Sequence, residues 1–355
     1  MQRTIRRTRH GSAAALRPRV LFIAGSLNQT TQLHAVAREL LECEVRFSPF
    51  YGDAAVTAMR RLGLLESTIG GDKRRGWCLQ YLRDNEIPVD IDGREGPYDL
   101  VVTCTDLVVP RNTRGAGLVV VQEGILDPIG LTAHVCRRLR WLPRWLAGTA
   151  LTGQSGLFDR FCVASHGYRD FFVAQGIEPR KLAVTGIPNF DDCRRFSSNA
   201  FPHHGYVLVC TSDARETLKR DDRTVLVRRA LELSRGRRLI FKLHPNEGPA
   251  RAEEIRALAP GALIYTSGSA EEMIANADVV LTQWSSTAFT ALALGKEVHS
   301  NFADEELRRL LPLQNGGRSA GNIARVCREV LASSRPSSIL PHLSPVRLVA
   351  KGAIA

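Results

Sequence analysis

Short apolar runs that end at glycine or at polar residues alternate with helical patterns along the first half of the chain. The run at 19–25 predicts a buried first strand, and a helix over about 32–42, capped by Thr30 or Thr31, is expected to follow it. Further strands are predicted at 44–47, 98–103, 117–122, 158–164 and 181–186, with a helix over 166–175. Because nearly every position in these strands is apolar, the pattern indicates a parallel sheet with helices on both faces.

A second alternation of the same kind follows a polar stretch at 191–205, which is the best candidate for a linker. Its strands are predicted at 206–210, 238–243, 262–265 and 277–282, and its helices at about 223–234, 271–274, 286–294, 303–311 and 320–333. A chain of 355 residues is long enough for two domains with separate cores. We therefore predict two Rossmann-like α/β domains at 19–192 and 205–333, with a disordered basic tail at 1–18 and an irregular tail at 334–355.

The chain carries a net charge of +12, and six of its 48 basic residues are lysines. Guanidinium groups suit bidentate contacts with phosphate. A phosphorylated substrate or an anionic membrane surface would explain this charge, and a solvated basic surface is the alternative. Nucleic acid is not expected as a partner, because the sequence has no aromatic RNP strand, zinc finger or basic heptad helix.

The eight cysteines lie far apart and form no C-x-x-C pair, which argues against a zinc site and against a disulfide framework. Several, such as Cys162, lie in apolar runs and are predicted to be core residues of a protein in the reducing cytoplasm. No apolar run reaches the roughly 18 residues of a membrane-spanning helix. The apolar segment at 13–16 is too short for a secretory signal.

The loops that follow the predicted strands are the places to look for a ligand, because open parallel sheets bind ligands outside their carboxyl ends. In the first half, Gly25, Ser26 and Asn28 lie in such a loop, where a ligand could approach the backbone closely; an ordinary strand-to-helix turn is the alternative. Glu123 follows a buried strand and precedes a glycine, as a general base for an acceptor hydroxyl would. Asp127 is the second candidate for that base and Asp106 the third, and a structural carboxylate is the alternative interpretation.

In the second half, Lys242 and His244 lie at the end of a predicted strand, next to a proline. Ser285, Ser286 and Thr287 follow another strand and open a helix, whose free N–H groups and dipole suit a phosphate; a serine that only caps the helix is the alternative. The sequence has no Walker A run, no G-x-G-x-x-G and no metal-binding cluster. A departing diphosphate would therefore be stabilised by the helix start and by basic side chains, without a metal.

Arginines and tryptophans alternate over 134–145, which is typical of a helix at the surface of an anionic membrane. A basic surface helix with its tryptophans packed inward is the alternative, and Pro143 interrupts any continuous amphipathic helix.

The order of these motifs resembles the GT-B superfamily over roughly 19–330. The segments that carry the resemblance are YDLVV at 98–102, VVVQEG at 119–124, FDRFCVAS at 158–165, KLAVTGIPNFD at 181–191, FKLHP at 241–245 and ADVVLTQWSSTAFTALALGK at 277–296. The branches it resembles are the non-hydrolysing UDP-N-acetylglucosamine 2-epimerases, the capsule polysaccharide transferases and the CDP-glycerol glycerophosphotransferases. The resemblance implies two Rossmann-like domains that face a central cleft.

The resemblance also implies roles for single residues. His244 would lie near the donor nucleotide, Ser285, Ser286 and Thr287 would meet its pyrophosphate, and Glu123 would match a catalytic-site carboxylate of the epimerases. The epimerases carry S-G-G-x-x-E-E in the block that contains these hydroxyl residues, whereas this chain has Phe289 and Thr290 there. The glutamate that binds the ribose in that family is therefore absent.

These observations predict a metal-independent, inverting glycosyltransferase that uses a nucleotide-sugar donor such as a UDP-sugar in surface or capsular polysaccharide biosynthesis. No cofactor is expected, since the nucleotide sugar is a co-substrate, and the acceptor would be a glycan or a lipid-linked molecule. The expected location is the cytoplasm, with the inner face of the membrane as a contact through 134–145. The alternatives are a UDP-GlcNAc 2-epimerase, a non-catalytic protein with a degenerate cleft, and a phosphopolyol transferase.

Overall fold

A computed structural model describes residues 17–52, 71–109, 111–113, 115–124, 131–139, 142, 144, 150–212 and 221–334. The first sheet has six parallel strands in the order β2-β1-β3-β4-β5-β6. They are β1 Arg19–Ile23, β2 Glu44–Ser48, β3 Leu100–Thr103, β4 Gly117–Val121, β5 Arg160–Val163 and β6 Leu182–Val184. Each lies within one or two residues of its predicted position, because continuous apolar runs suit strands buried on both faces.

The helices of the first half are α1 Leu27–Ala37, α2 Asp72–Asp84, α3 Leu131–Arg138 and α4 His166–Ala174. The prediction for α1 was wrong in its start and its cap. The cap is Ser26, whose hydroxyl accepts a hydrogen bond from the backbone N–H of Gln29 at 3.1 Å. Thr30 therefore lies inside the first turn, where its own hydroxyl donates to the carbonyl of Ser26 at 2.7 Å.

The second sheet has five parallel strands in the order β11-β10-β7-β8-β9. They are β7 Val207–Cys210, β8 Leu239–Lys242, β9 Leu263–Tyr265, β10 Val279–Thr282 and β11 Glu297–His299. The helices of this half are α5 Arg223–Ser234, α6 Pro249–Leu258, α7 Ala270–Asn276, α8 Thr287–Ala293, α9 Asp304–Leu310 and α10 Ser319–Ser334. The two parallel sheets confirm the predicted α/β class, although β11, α2 and α6 were not anticipated.

The last two helices return to the first sheet. Leu310 of α9 and Ile323 of α10 belong to the same buried cluster as Val119 of β4. The crossing segment is fixed by backbone and side-chain bonds: Leu313 donates its N–H to the carbonyl of Ala164 at 2.9 Å, and Asn315 donates its side-chain N–H to the carbonyl of Thr185 at 2.9 Å. The C-terminal segment therefore ties the two halves together.

All eight cysteines are buried free thiols, as expected for core residues. Within the described ranges, every helix is too short or too polar to cross a lipid bilayer.

Candidate functional site

The loops after β4 and β10 meet where the carboxyl ends of the two sheets approach each other. An ideal Cβ placed on Gly124 would lie 3.7 Å from Cβ of Ser286 and 3.8 Å from the ring of Phe190. These are ordinary van der Waals distances for an added methyl group, so the two loops lie close together. The structure therefore brings the predicted base, Glu123, close to the predicted phosphate-binding residues.

Glu123 is half-buried and its carboxylate accepts three side-chain hydrogen bonds. Oε1 accepts from the hydroxyl of Ser26 at 3.1 Å and from the amide of Asn28 at 3.3 Å, and Oε2 accepts from the amide of Gln29 at 2.5 Å. A carboxylate offers about four acceptor positions. The three donors hold the group in one orientation and leave acceptor capacity for a ligand.

Gln29 was missed by the sequence analysis, although it directly follows Asn28, which was singled out; both lie in the first turn of α1 rather than in a loop. Gln29 is buried, and its side-chain oxygen accepts from the N–H of Gly25 at 2.7 Å while its amide donates to Glu123. Asn189 was also missed; its amide donates to the side-chain oxygen of Asn28 at 2.7 Å. Both amides bridge loops that are distant in sequence.

The other two carboxylates considered for the base differ in status. Asp127 lies outside the described residues. Asp106 is buried, and its two carboxylate oxygens accept from the N–H groups of Gly153 and Ser155, each at 2.7 Å. Asp106 therefore acts as a structural anchor for that loop.

Lys242 and His244 lie at the end of β8, as predicted, but they differ in exposure. Lys242 is 5 % exposed, and its ammonium donates to the carbonyl of Leu243 at 2.8 Å. Burial lowers the pKa of this ammonium, while Cys210 and nearby carboxylates act in the opposite direction. His244 is half-buried, and its Nδ1 accepts from the N–H of Asn246 at 3.2 Å.

The hydroxyl residues before α8 are half-buried and form a local turn. The hydroxyl of Ser285 accepts from the N–H of Thr287 at 3.3 Å and from its hydroxyl at 3.0 Å. Ser286 stands at the cap position without a side-chain capping bond. The capping role is thus taken by the hydroxyl of Ser285, which immediately precedes the helix predicted at 286–294.

Phe289 and Thr290 are 1 % and 3 % exposed. The ring of Phe289 packs edge-on against Phe190 and Tyr168, with centroid distances of 6.4 and 6.3 Å. Phe289 belongs to the same buried cluster as the first sheet, and both side chains are almost inaccessible to solvent.

The stretch at 134–145 is described only in part. In α3, Ala133 and Cys136 are buried and pack with Leu151, while His134, Val135, Arg138 and Leu139 are exposed. Trp141 and Trp145 lie outside the described residues, so the prediction of a membrane contact stays a prediction. In the part of the chain that the structure describes, no three His, Cys, Asp or Glu side chains are grouped to hold a metal ion.

Comparison of the fold with solved structures identifies similar proteins over most of the chain. A UDP-N-acetylglucosamine 2-epimerase from Rickettsia bellii is 12% identical in sequence, with a TM-score of 0.52. The superposition covers 90% of this chain and 97% of the Rickettsia chain. The Methanocaldococcus jannaschii UDP-GlcNAc 2-epimerase, solved with UDP-GlcNAc and UDP, is 12% identical with a TM-score of 0.53, covering 88% and 99%. Anabaena HepE in complex with UDP is 12% identical with a TM-score of 0.50, covering 89% and 100%.

No protein-family model matches the sequence, and none of the curated proteins matches it either. The structural similarity confirms the GT-B fold that the sequence motifs predicted. At these identities it establishes the fold alone.

Proposed function

We propose that the chain is a metal-independent glycosyltransferase that transfers a sugar from a nucleotide-sugar donor, with Glu123 as the general base. The observation that carries the proposal is the oriented carboxylate of Glu123, next to Gly124, which lies close to Ser286 of the other half. A base in this position stands at the junction of the two sheets, where ligands of open α/β folds bind.

The reaction would be a single displacement at the anomeric carbon. The acceptor hydroxyl forms the new C–O bond while Glu123 takes its proton, and the donor's bond to phosphate breaks with its electron pair leaving on the nucleoside diphosphate. Ser285, Ser286, Thr287, His244 and Lys242 are the proposed groups around the diphosphate, and Gly25, Ser26 and Asn28 form the acceptor side. Asp127 is the second candidate for the general base.

The product would belong to a surface or capsular glycan, and the acceptor would be a glycan or a lipid-linked molecule. We place the protein in the cytoplasm, with 134–145 as a peripheral contact to an anionic membrane. The exposed Val135 and Leu139, 47% and 40% accessible, lie beside the exposed Arg138 and support this contact.

The first experiment is a thermal-shift screen of the purified protein against UDP, CDP, GDP, CMP and their common sugar conjugates. A ligand that binds the folded state must raise the melting temperature. We expect one nucleotide to give a clear shift, followed by transfer to an acceptor. A folded protein that responds to none of them would contradict the proposal and favour a non-catalytic protein with a GT-B-like cleft.

A UDP-GlcNAc 2-epimerase is the second candidate, because two of the similar structures carry that name. The burial of Phe289 and Thr290 counts against it. Conversion of UDP-GlcNAc in the absence of any acceptor would decide for the epimerase.

A further inference from the structure

A buried ion network lies at the start of α5, outside the residues assigned to the reaction. Arg223 is 1% exposed, and its Nη2 donates to Asp221 at 2.9 Å and to Glu247 at 2.6 Å. The side chains of both acidic residues are completely inaccessible to solvent. One guanidinium thus holds two carboxylates in the interior.

The network connects three loops that follow neighbouring strands. Through Glu247 it reaches the β8 loop and the end of β7, because Oε2 accepts from the N–H of His244 at 2.8 Å and from the hydroxyl of Thr211. Through Asp221 it reaches the β10 loop, because the amide of Gln283 donates to Oδ1 at 2.8 Å. The strands β10, β7 and β8 are adjacent in the sheet, so these loops form one edge.

Gln283 connects the network to the residues proposed to bind the donor. Its side-chain oxygen accepts from the hydroxyl of Ser212 at 3.3 Å, and Ser285 and Ser286 follow it by two and three residues. Arg223 therefore links the two loops that carry His244 and the proposed phosphate-binding hydroxyls.

This arrangement is unfavourable as a purely structural element. Ion pairs without access to water gain little over well-packed apolar side chains, because each ion loses its hydration. The Nε and Nη1 groups of Arg223 are buried and find no acceptor within the described structure, and its positive charge stands at the N-terminus of α5, where the helix dipole disfavours cations. An apolar cluster would fill the same space at lower cost.

We propose that Arg223 is a positioning residue that holds the loops after β8 and β10 in the arrangement that binds the diphosphate of a nucleotide donor. The proposal rests on the proposed function for the identity of the ligand. The coupling of the two loops to Arg223 follows from the hydrogen bonds alone, whatever the ligand.

The test is the triple substitution Asp221→Leu, Arg223→Met and Glu247→Met, which removes all three charges together and leaves none unpaired. Amide hydrogen exchange of the variant is measured without ligand, and its Kd values for UDP and UDP-GlcNAc are measured separately. We expect the melting temperature to stay near that of the native protein. Exchange of the His244 amide and of 283–288 should accelerate at least about tenfold, because these loops lose their anchor, and nucleotide binding should weaken by a similar factor.

Arg229→Met on the exposed side of α5 is the matched control and should change neither the exchange rates nor the nucleotide Kd values. If the triple variant does not fold, Gln283→Leu removes only the link to the β10 loop and should still accelerate exchange at 283–288. Native-like exchange in the folded triple variant, or in Gln283→Leu, would overturn the proposal. Accelerated exchange in the triple variant, together with a native protein that binds none of the nucleotides in the thermal-shift screen, would instead contradict the proposed function and leave the coupling confirmed.

Discussion

Gly124 faces Ser286 across the two halves of the molecule, with about the space of one methyl group between them. A Cβ built on Gly124 would lie 3.7 Å from that of Ser286, which is an ordinary van der Waals distance. This closeness places Glu123, at the end of a strand in the first sheet, next to the start of a helix in the second. The proposed chemistry depends on this juxtaposition, because the acceptor hydroxyl that Glu123 activates and the departing diphosphate must meet at the same anomeric carbon.

Substitution of Gly124 tests directly whether the closeness of the two loops matters. Gly124→Ala should leave stability and transfer nearly unchanged, because the new methyl group meets only ordinary contacts. Gly124→Leu should press on Ser286 and Phe190 and lower kcat/KM by about tenfold or more, since overpacking displaces neighbouring groups. Steady-state kinetics of the two variants checks this. Equal activity of Gly124→Leu and the native protein would show that the loops do not act together.

Glu123→Gln should remove the proton acceptor while keeping the size of the side chain. We expect transfer to fall by about 10²–10⁴-fold, the usual contribution of a general base, and donor binding to persist. Glu178→Gln, at an exposed glutamate paired with Arg180, is the control and should behave like the native protein. Full activity of Glu123→Gln would reject the assignment.

Gln29→Leu should disturb Glu123 without touching the substrate. Loss of the amide that donates to Oε2 at 2.5 Å frees the carboxylate to adopt other orientations, and we expect kcat to fall roughly 10–100-fold, with donor Kd unchanged. Isothermal titration and initial rates separate the two quantities. A change in donor Kd alone would assign Gln29 to the donor pocket instead.

Lys242→Met should stabilise the protein at neutral pH, because burial lowers the pKa of Lys242 below its usual 10.5. Between the lowered folded value and 10.5 the unfolded state binds more protons than the folded state, so native stability rises with pH. The advantage of the variant should therefore shrink as pH rises through that window. Urea unfolding of both proteins at several pH values measures the difference; a pH-independent difference would contradict the prediction.

Gly167→Ala should weaken the packing of α4 against α9, because the new Cβ would lie 1.9 Å from the carbonyl oxygen of Arg309. We expect a loss of about 1–3 kcal/mol in the free energy of unfolding. The control is Gly76→Ala in α2, where nothing lies within 4 Å of the new methyl group, and which should gain about 0.5–1 kcal/mol. Denaturant unfolding of both variants checks that the free energy of unfolding falls in one and rises in the other.

The strands and the two-sheet architecture could be predicted from the sequence, because strands buried on both faces must be continuous apolar runs. The end of β4 located Glu123 in the same way, and the end of β8 located His244. These features depend on residues that are neighbours along the chain, so the local sequence pattern is enough to predict them.

The tertiary structure alone decided the partners of these residues. Gln29, in the helix that follows β1, donates to Glu123 at the end of β4, although β3 lies between these two strands. Arg223 meets Glu247 in the interior. Helix α10, at the end of the described chain, packs on the first sheet. No local pattern contains this information, because a side-chain hydrogen bond depends on which strands and loops are adjacent in space, and that order is set by the packing of the whole chain.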